Sequence, residues 1–465
     1  YLIVWAFVQI FGVSEIALRL PSLLFGLATG YVTYLLGKNI CGQRVGIIAA
    51  TLIWISPSMV QSNADARPYA LALLMTALMF YGFARATQLA DRRGRWLFIA
   101  GGVGLFTTHY LLTLIALGIA LAYLCLPALR ARYLPEHFAR DVGLQLLVVA
   151  WGLPQLSQLW SRRAALSWLG DANYFAFFEI IGPFIVAGSI ALLAHRFSQQ
   201  SSSQRAMAWA FCVALLTPIA CLQLLAYFGV NLLERRYMIP ILIPAVMVGA
   251  IALEWTPKTF ATIALAYWLL FTGVSFAMNF RAYGTFSAAG FQDWRQAAHC
   301  VEKIAHAEGT PLVLYRSGFV EDDILTNGQL PPSVTLSPIQ NFRLPTNPWR
   351  LVPLPYTWSA RGREDYFVGS IEPILHKAAV FYFLTCRSCF NQATGKYPEL
   401  LLDWIEQKFP AKFVAEPIDT GHGITLIRFA DRSHGARLES ILQRRWPAAL
   451  NELTTSRLEP QYSCN

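Results

Sequence analysis

The chain has 465 residues, of which 55% are hydrophobic and only 14% are charged, and its mean hydropathy is +0.43. Ordinary soluble domains carry about 25% charged residues, and the apolar residues here form long blocks, so a soluble globular protein is excluded. The net charge of +10 does not indicate a nucleic-acid partner. Most basic residues stand in short loops between apolar blocks, where they orient a membrane protein, and no nucleic-acid-binding motif is present.

From Tyr1 to about Phe280 the sequence is a series of apolar blocks, each about 18 to 25 residues long, as a helix needs to cross a hydrocarbon layer roughly 30 Å thick. We predict a polytopic α-helical membrane protein with about ten or eleven transmembrane helices. The first, Tyr1–Phe11, would be the tail of an earlier helix. The other predicted spans are Ile16–Gly37, Val45–Gln61, Pro68–Leu89, Trp96–Thr108, Leu111–Leu129, Val142–Trp160, Tyr174–His195, Ala206–Gly229, Tyr237–Glu254 and Thr259–Phe280.

The loops between these spans fall into two alternating sets, one with twice as many basic residues as the other. The more basic set is assigned to the cytoplasm by the positive-inside rule and carries Lys38, Arg44, Arg85, Arg92, Arg93, Arg95, Arg130, Arg132, Arg140, Arg196, Arg205 and Lys258. The other set carries Arg19, Arg67, Arg162, Arg163, Arg235 and Arg236. These outer loops also mix acids and aromatic residues with the arginines, which predicts a polar cavity at the outer membrane boundary.

After Phe280 the composition becomes polar and proline-rich, and the apolar runs shrink to strand length. We predict a transmembrane domain over 1–280, an extracytoplasmic α/β domain over 281–430 and a polar tail over 431–465. Helices are expected at Gln292–His306 and Pro398–Phe409, and the stretch from Pro331 to Pro355 is expected to be a long loop. The predicted strands are Leu312–Tyr315, Ala378–Leu384, Val414–Pro417 and Gly423–Phe429, the last two forming a pair about a turn at Asp419.

The cysteines give no strong indication of chemistry. Cys386 and Cys389 form a single CxxC, which is either a local disulfide or two free thiols, or alternatively a redox or metal pair. No Walker loop, GxGxxG, HExxH or Gly-x-Ser-x-Gly element occurs. We therefore predict no cofactor, and a requirement for a divalent metal stays open.

The best local signal is the run Asp65-Ala66-Arg67-Pro68-Tyr69. Pro68 suits the first turn of a helix, and an acid before it favours the positive helix end. One interpretation is therefore a helix cap beside an interfacial arginine. The other is a binding site in which Arg67 holds an anion and Asp65 orients it or another ligand.

Several other outer residues admit the same two interpretations. Arg19 can reach lipid headgroups, or it can grip a phosphate together with Arg67 or Arg236 through charge-assisted hydrogen bonds. His109, followed by Tyr110, is either a structural hydrogen-bonding residue or a ligand-contacting one. Glu179 is an acid inside a predicted span and so a further functional candidate.

Taken in order, these segments resemble one group of membrane enzymes. The segments are Glu15-Ile-Ala-Leu-Arg19-Leu-Pro-Ser-Leu-Leu-Phe-Gly26, Asp65-Ala-Arg67-Pro-Tyr-Ala-Leu71, Thr108-His109-Tyr110, Arg235-Arg236-Tyr237-Met-Ile-Pro240 and Asp293-Trp294-Arg295-Gln-Ala-Ala298. They are similar to the glycosyltransferase family 39 type of GT-C enzymes, whose relatives include the protein O-mannosyltransferases and the aminoarabinose transferase of lipid A. Together they are spread over residues 15–298, in the order that the family has them.

The resemblance implies transfer of a sugar from a polyprenyl-phosphate carrier to a lipid, glycan or protein acceptor on the outer side of the cell membrane. Arg19 matches an arginine that engages the donor phosphate, and Arg236 would assist it, beside the anion contact that the motif predicts for Arg67. Asp65 matches the acid of the second outer motif. Tyr69, His109, Tyr110 and Tyr237 would line the substrate cavity, and membrane lipids would surround the spans.

The resemblance also points to a departure from the family. Its main catalytic acid lies in the first outer loop, and this sequence begins downstream of that loop, so we expect the acid upstream of Tyr1 and treat Asp65 as a supporting candidate. A lipid-linked glycan polymerase or ligase of the same architecture is one alternative. A transporter or flippase is another, although such proteins place polar residues near the midplane, and here the charges gather at one face.

Overall fold

The computed structural model describes residues 2–12, 15–64, 67–154, 177, 180, 201–228, 232–283, 294–305, 311–316, 349–355, 358, 362–386, 397–419, 424–432 and 462–463. The chain forms two compact units, Tyr1–Ala289 and Gly290–Asn465. The finer division at 280 and 430 stays a prediction. Asp65, Glu179, Cys389 and nearly all of the predicted span Tyr174–His195 lie outside the described residues.

The described part of the first unit is helical. Its helices are α1 (Leu2–Phe11), α2 (Glu15–Cys41), α3 (Gln43–Trp54), α4 (Pro57–Ala64), α5 (Tyr69–Leu89), α6 (Arg92–Thr108), α7 (Leu114–Cys125), α8 (Pro127–Arg130), α9 (Pro135–Trp151), α10 (Ser202–Tyr227), α11 (Arg235–Met238), α12 (Leu242–Trp255) and α13 (Lys258–Tyr283). Two 3₁₀ turns, Tyr110–Thr113 and Ile239–Ile241, precede α7 and α12. The buried apolar side chains of these helices form one continuous core.

Within the described residues, five helical segments are long and apolar enough to cross a membrane, or six if a bent pair counts as one span. They are Ile16–Cys41, Tyr69–Leu89, Ser202–Tyr227, Arg236–Trp255 and Ala261–Met278. The bent pair is α3 with α4, which meet at 59°, so the region predicted as the span Val45–Gln61 is a broken helix and not a continuous one. Pro57 begins the second segment and cannot donate the backbone hydrogen bond that a continuous helix needs.

Helices α5 and α6 pack with their backbones in direct contact. A Cβ added to Gly82 of α5 would lie 2.2 Å from the backbone nitrogen of Phe98, and one added to Gly101 of α6 would lie 2.5 Å from that of Met79. A Cβ on Gly94 would lie 2.8 Å from the nitrogen of Ala86. These contacts set an antiparallel register, and small residues of this kind let membrane helices approach closely.

Two ion pairs, one partly exposed and one largely buried, hold the end of this hairpin that lies away from Tyr69. Arg85 binds Asp91, which caps α6 by accepting a hydrogen bond from the backbone of Arg93. Arg95 makes a bidentate contact with Asp141 of α9, with nitrogen–oxygen distances of 2.6 and 2.8 Å. Tyr133 donates a third hydrogen bond to Asp141, whose side chain is fully buried. Arg85 and Arg95, predicted as topology signals, therefore also join helices.

The second unit is an α/β domain. Its described elements are α14 (Trp294–Ala305), β1 (Leu312–Arg316), β2 (Arg350–Leu354), α15 (Arg363–Tyr366), a π-helical turn (Phe367–Ile371), α16 (Glu372–Lys377), β3 (Val380–Cys386), α17 (Tyr397–Lys408), β4 (Phe413–Asp419), β5 (Ile424–Asp431) and β6 (Tyr462–Ser463). The sheet order is β2-β1-β3-β5-β4-β6. Strands β1, β2 and β3 run parallel, and β5 is antiparallel to both β3 and β4.

Each face of the sheet has its own core, as the alternation of side chains along a strand requires. Helix α14 covers one face and packs against Tyr382, Leu384 and Leu426. On the other face, Phe367 and α17 pack against the remaining strand positions. The described helices and strands confirm the predicted fold class.

Two strands were not predicted from the sequence. The sequence pattern predicts a long loop from Pro331 to Pro355, but Arg350–Leu354 pairs in parallel with β1 and forms one edge of the sheet. Pro353 made a strand improbable, and an edge strand is where proline is tolerated. Tyr462–Ser463, within the predicted tail, pairs with β4.

The close contact of α5 with α6 gives a first prediction. Gly82→Ala would push backbone atoms apart and destabilise the protein by about 1–3 kcal/mol. The matched control is Gly143→Ala in α9, where a Cβ meets nothing within 4 Å. Alanine has a better helix propensity than glycine, so this variant should be more stable by up to about 1 kcal/mol. Thermal unfolding in detergent measures both, and equal midpoints for the two variants would contradict the contact.

The Arg95–Asp141 pair gives a second prediction. Asp141→Asn leaves a largely buried arginine without its counter-charge and should cost about 3–5 kcal/mol. Glu254→Gln is the control, because Glu254 pairs with Arg44 at 3.4 Å on the surface and such pairs contribute about 1 kcal/mol or less. An unfolding midpoint for Asp141→Asn no lower than that of Glu254→Gln would show that the pair is not structural.

Candidate functional site

The candidate site lies where α5 begins and α6 ends. Gly101 meets Met79 and Gly94 meets Ala86 in the antiparallel register, so continuing that register places the start of α5 level with His109 and Tyr110. Tyr69, the first residue of α5, is buried with 8% of its surface exposed. The helix hairpin therefore brings two predicted site segments, about 40 residues apart in sequence, to the same end.

Three rings and one guanidinium form the centre of the site. The His109 ring stacks on Tyr110 with centroids 5.3 Å apart and lies 5.4 Å from the ring of Tyr237. The Arg236 guanidinium carbon lies 5.1 Å from the centroid of Tyr237, a distance typical of a cation–π contact. Tyr69 interacts electrostatically with Tyr237. The structure therefore joins five of the eight predicted site residues.

Local backbone structure explains how these side chains are presented. His109 adopts an extended conformation that ends α6, and its N–H donates to the Leu105 carbonyl at 3.0 Å. Its own carbonyl accepts from the N–H of Leu112 at 3.0 Å, which opens the 3₁₀ turn. Because the backbone polar groups of His109 are satisfied in this way, its imidazole can face the neighbouring rings without unpaired backbone atoms.

The charge state of His109 follows from its surroundings. It lies in the connection between α6 and the 3₁₀ turn, where burial, helped by the positive charge of Arg236, holds the pKa of the imidazole below its ordinary value. A neutral imidazole can both donate and accept a hydrogen bond. Its Nδ1, and the Oγ1 of Thr113 in the following 3₁₀ turn, are buried and have no hydrogen-bond partner among the described residues.

Two predicted arginines lie outside this central contact. Arg67 is exposed two residues before α5, and no described residue is hydrogen-bonded or ion-paired to its guanidinium. Arg19 is exposed near the start of α2, the helix that packs against α5. Asp65 lies outside the described residues, so its predicted role is not tested.

The structure adds one residue to the site and shows a further buried polar side chain in α4. Glu234 precedes α11, accepts a hydrogen bond from the Tyr237 N–H at 2.9 Å and interacts electrostatically with Tyr237. In the sequence, Glu234 belongs to a run of mixed charge that ends at Tyr237, and this run was the pattern that could have identified it. Asn63, near the end of α4, packs so closely on Gly26 that a Cβ there would lie 2.1 Å from its Oδ1. That oxygen is buried with no hydrogen-bond partner among the described residues, and no sequence pattern marked it.

The site offers cationic and aromatic groups rather than a metal-ligand set. Among the described residues, no group of three or more His, Cys, Asp and Glu side chains is placed to hold a metal ion. Arginine recognises phosphate through paired hydrogen bonds, and the half-buried rings provide apolar contact. This combination suits a ligand with a phosphate and a hydroxyl-bearing ring.

Comparison with known sequences covers the part of the chain that carries most of these residues. Residues 1–153 match the family described as dolichyl-phosphate-mannose-protein mannosyltransferase. That segment contains Arg19, Asp65, Arg67, Tyr69, His109 and Tyr110, but neither Arg236 nor Tyr237. No curated protein matches the chain in sequence.

Comparison with solved structures covers both units. The chain is similar to ArnT from Cupriavidus metallidurans in the apo state, with a TM-score of 0.56 and 12% identity. It is also similar to ArnT from the same organism bound to undecaprenyl phosphate, with a TM-score of 0.57 and 11% identity. Each match covers 92% of this chain and 86% of the other. The protein therefore has a membrane fold of the GT-C type, in which a polytopic helical unit precedes an α/β unit.

Proposed function

We propose that the protein is a membrane glycosyltransferase that moves a hexosyl or pentosyl group from a polyprenyl-phosphate donor to an acceptor on the extracytoplasmic face. The observation that carries this proposal is the cluster of His109, Tyr237 and Arg236, with Tyr69 beside it. The match of residues 1–153 to the mannosyltransferase family and the likeness to ArnT bound to undecaprenyl phosphate support it.

The proposed reaction is a substitution at the anomeric carbon of the donor sugar. An acceptor hydroxyl or amine attacks that carbon, the bond to the phosphate oxygen breaks, and its electron pair leaves with the polyprenyl phosphate. Arg19, Arg67 and Arg236 would stabilise the departing phosphate, because preformed donors aimed at developing charge lower the barrier most. A carboxylate would take the acceptor proton, with Asp65 in a supporting role.

The aromatic residues would hold the sugar rather than react with it. Tyr69, Tyr110 and Tyr237 are all at least half-buried around His109, so they offer apolar surface with a polar tip. His109 Nδ1 and Thr113 Oγ1 can then bond sugar hydroxyls, which removes the cost of leaving those two buried atoms unpaired.

Cysteine chemistry supports an extracytoplasmic second unit. Cys300, in α14, is disulfide-bonded, whereas Cys41, Cys125, Cys212 and Cys221 of the first unit are free thiols. Disulfides persist in oxidising compartments and are rare in the cytosol. The disulfide of Cys300 therefore favours the outer side of the membrane for the α/β unit. The excess of basic residues in the loops assigned to the cytoplasm favours the same orientation.

A second candidate function is transport of a lipid-linked sugar. The break between α3 and α4, bent by 59°, is the observation that favours it, because broken helices are common at transporter binding sites. Transport would move the donor without breaking its glycosidic bond, so the two functions give different products.

Undecaprenyl phosphate, the leaving group shared by such donors, allows a test that does not depend on the sugar. We expect the purified protein to bind it, and Arg19→Gln, Arg67→Gln and Arg236→Gln each to weaken binding. With a panel of undecaprenyl-phosphate sugars and a membrane extract as acceptor, mass spectrometry should show transfer that falls about 100-fold in each variant. The control is Arg44→Gln, an exposed arginine paired with Glu254, which should behave as wild type.

Two outcomes would count against the enzyme. Sugar transfer at wild-type rate by all three arginine variants would remove the proposed phosphate contacts. Movement of intact donor across reconstituted vesicles, with no cleavage of the glycosidic bond, would favour transport instead.

Labelling of cysteines tests the orientation. In a Cys125→Ser background, a membrane-impermeant maleimide added to intact cells should label Lys377→Cys, an exposed position in α16. It should label Arg93→Cys, at the exposed start of α6, only after permeabilisation. The reverse pattern would place the α/β unit in the cytoplasm and contradict the proposed outer site.

A further inference from the structure

The α/β unit has a strand order that commonly creates a binding crevice. The chain forms β1, then β2 on one side of it, and then β3 on the other side, and all three strands are parallel. The strand order therefore reverses between β1 and β3. In open α/β sheets, ligands bind beyond the carboxyl ends of the strands at such a reversal point.

Two arginines and two aromatic residues meet at this edge. Arg316 ends β1, and its guanidinium lies 5.0 Å from the ring of Tyr397, the first residue of α17. Arg363 begins α15, and its guanidinium lies 4.4 Å from the ring of Trp358. The rings of Trp358 and Tyr397 touch edge to face at 5.1 Å, so all four residues form one contiguous group.

Arg363 is held in a way that suits a ligand contact. Trp358 and Phe367 both lie beneath its guanidinium, while 21% of the side chain remains exposed. Its acidic neighbour is Glu364, at 3.2 Å and with 55% of the side chain exposed, and an ion pair so exposed to water is weak. A stacked guanidinium keeps its edge N–H groups directed outward for bidentate contacts.

Another arginine of the same sheet shows what a structural role looks like. Arg428 in β5 is fully buried and donates to Glu416 of β4 at 2.5 Å, directly across the strand pair. Its charge is neutralised inside the protein. Arg316 and Arg363 lie on aromatic rings beyond the carboxyl ends of the strands.

We propose that this edge, formed by Arg316, Trp358, Arg363 and Tyr397, is a binding site for an anionic saccharide, a sugar ring that carries a phosphate or a carboxylate. The two guanidinium groups would bind the anionic group. The half-buried Trp358 would contact the C–H face of the sugar ring, since pockets for such ligands combine aromatic walls with a few placed polar groups. The site lies wholly within the α/β unit and does not depend on the proposed transfer reaction.

The test uses the full-length protein in detergent and three probes, namely glucose 6-phosphate, glucose and inorganic phosphate. To exclude binding at the membrane site, the titrations are made in an Arg236→Gln background. We expect glucose 6-phosphate to bind more tightly than either of its parts. Arg316→Gln and Arg363→Gln should each weaken it about tenfold, as expected when a charge-assisted hydrogen bond is lost. Glucuronate then distinguishes a carboxylate from a phosphate preference.

Arg350→Gln is the matched control. Arg350 is exposed at the amino end of β2, opposite Leu312 in the register with β1. The substitution Arg350→Gln therefore removes the same charge, but at the amino ends of the strands. It should leave binding unchanged within about twofold. Trp358→Phe keeps an aromatic ring but reduces its area. It should weaken the binding of glucose 6-phosphate more than the binding of inorganic phosphate.

Three results would overturn the proposal. The first is no binding of either glucose 6-phosphate or glucuronate, and the second is equal weakening by Arg350→Gln. The third is phosphate binding as tight as that of glucose 6-phosphate, which would show a simple anion contact without a saccharide.

Discussion

The contact between α5 and α6 is the constraint on which the candidate membrane site depends. Gly82 and Gly101 let the two backbones touch, and this fixes the register of the antiparallel pair. The register in turn decides that the start of α5 and the end of α6 share one level, so that Tyr69 and His109 can face the same space. A hairpin held apart by larger side chains would keep the same helices but lose that coincidence.

The arginines at the two ends of this hairpin differ in whether an acidic residue neutralises them. At its closed end, Arg85 and Arg95 are paired with Asp91 and Asp141, so their charges are neutralised where burial makes an unpaired charge expensive. At its open end, Arg67 is exposed and has no described partner. Acids therefore compensate arginines where helices must be joined, whereas the arginine at the open end is exposed, as the proposed phosphate contact requires.

Sequence patterns predicted the elements well where the pattern is local. The pairing of β4 with β5 was expected from the turn signal at Asp419, and α17 was expected as the helix Pro398–Phe409. The strand Arg350–Leu354 was missed because its partner β1 is distant in sequence and Pro353 argues against a strand. The contact of His109 with Tyr237 joins residues 128 positions apart, and no local pattern records it. The same holds for Asn63, whose place against Gly26 depends on the bend between α3 and α4.

The arginines of the two units can be ranked by one physical criterion, which is what neutralises each guanidinium. Arg428 has a buried carboxylate at 2.5 Å, and removing either partner would leave a buried charge. Arg236 and Arg363 lie on aromatic rings, and a ring attracts a cation without cancelling its charge. Such arginines are held in place yet still attract anions. Each proposed site, one in the membrane unit and one in the α/β unit, therefore includes an arginine that lies on an aromatic ring.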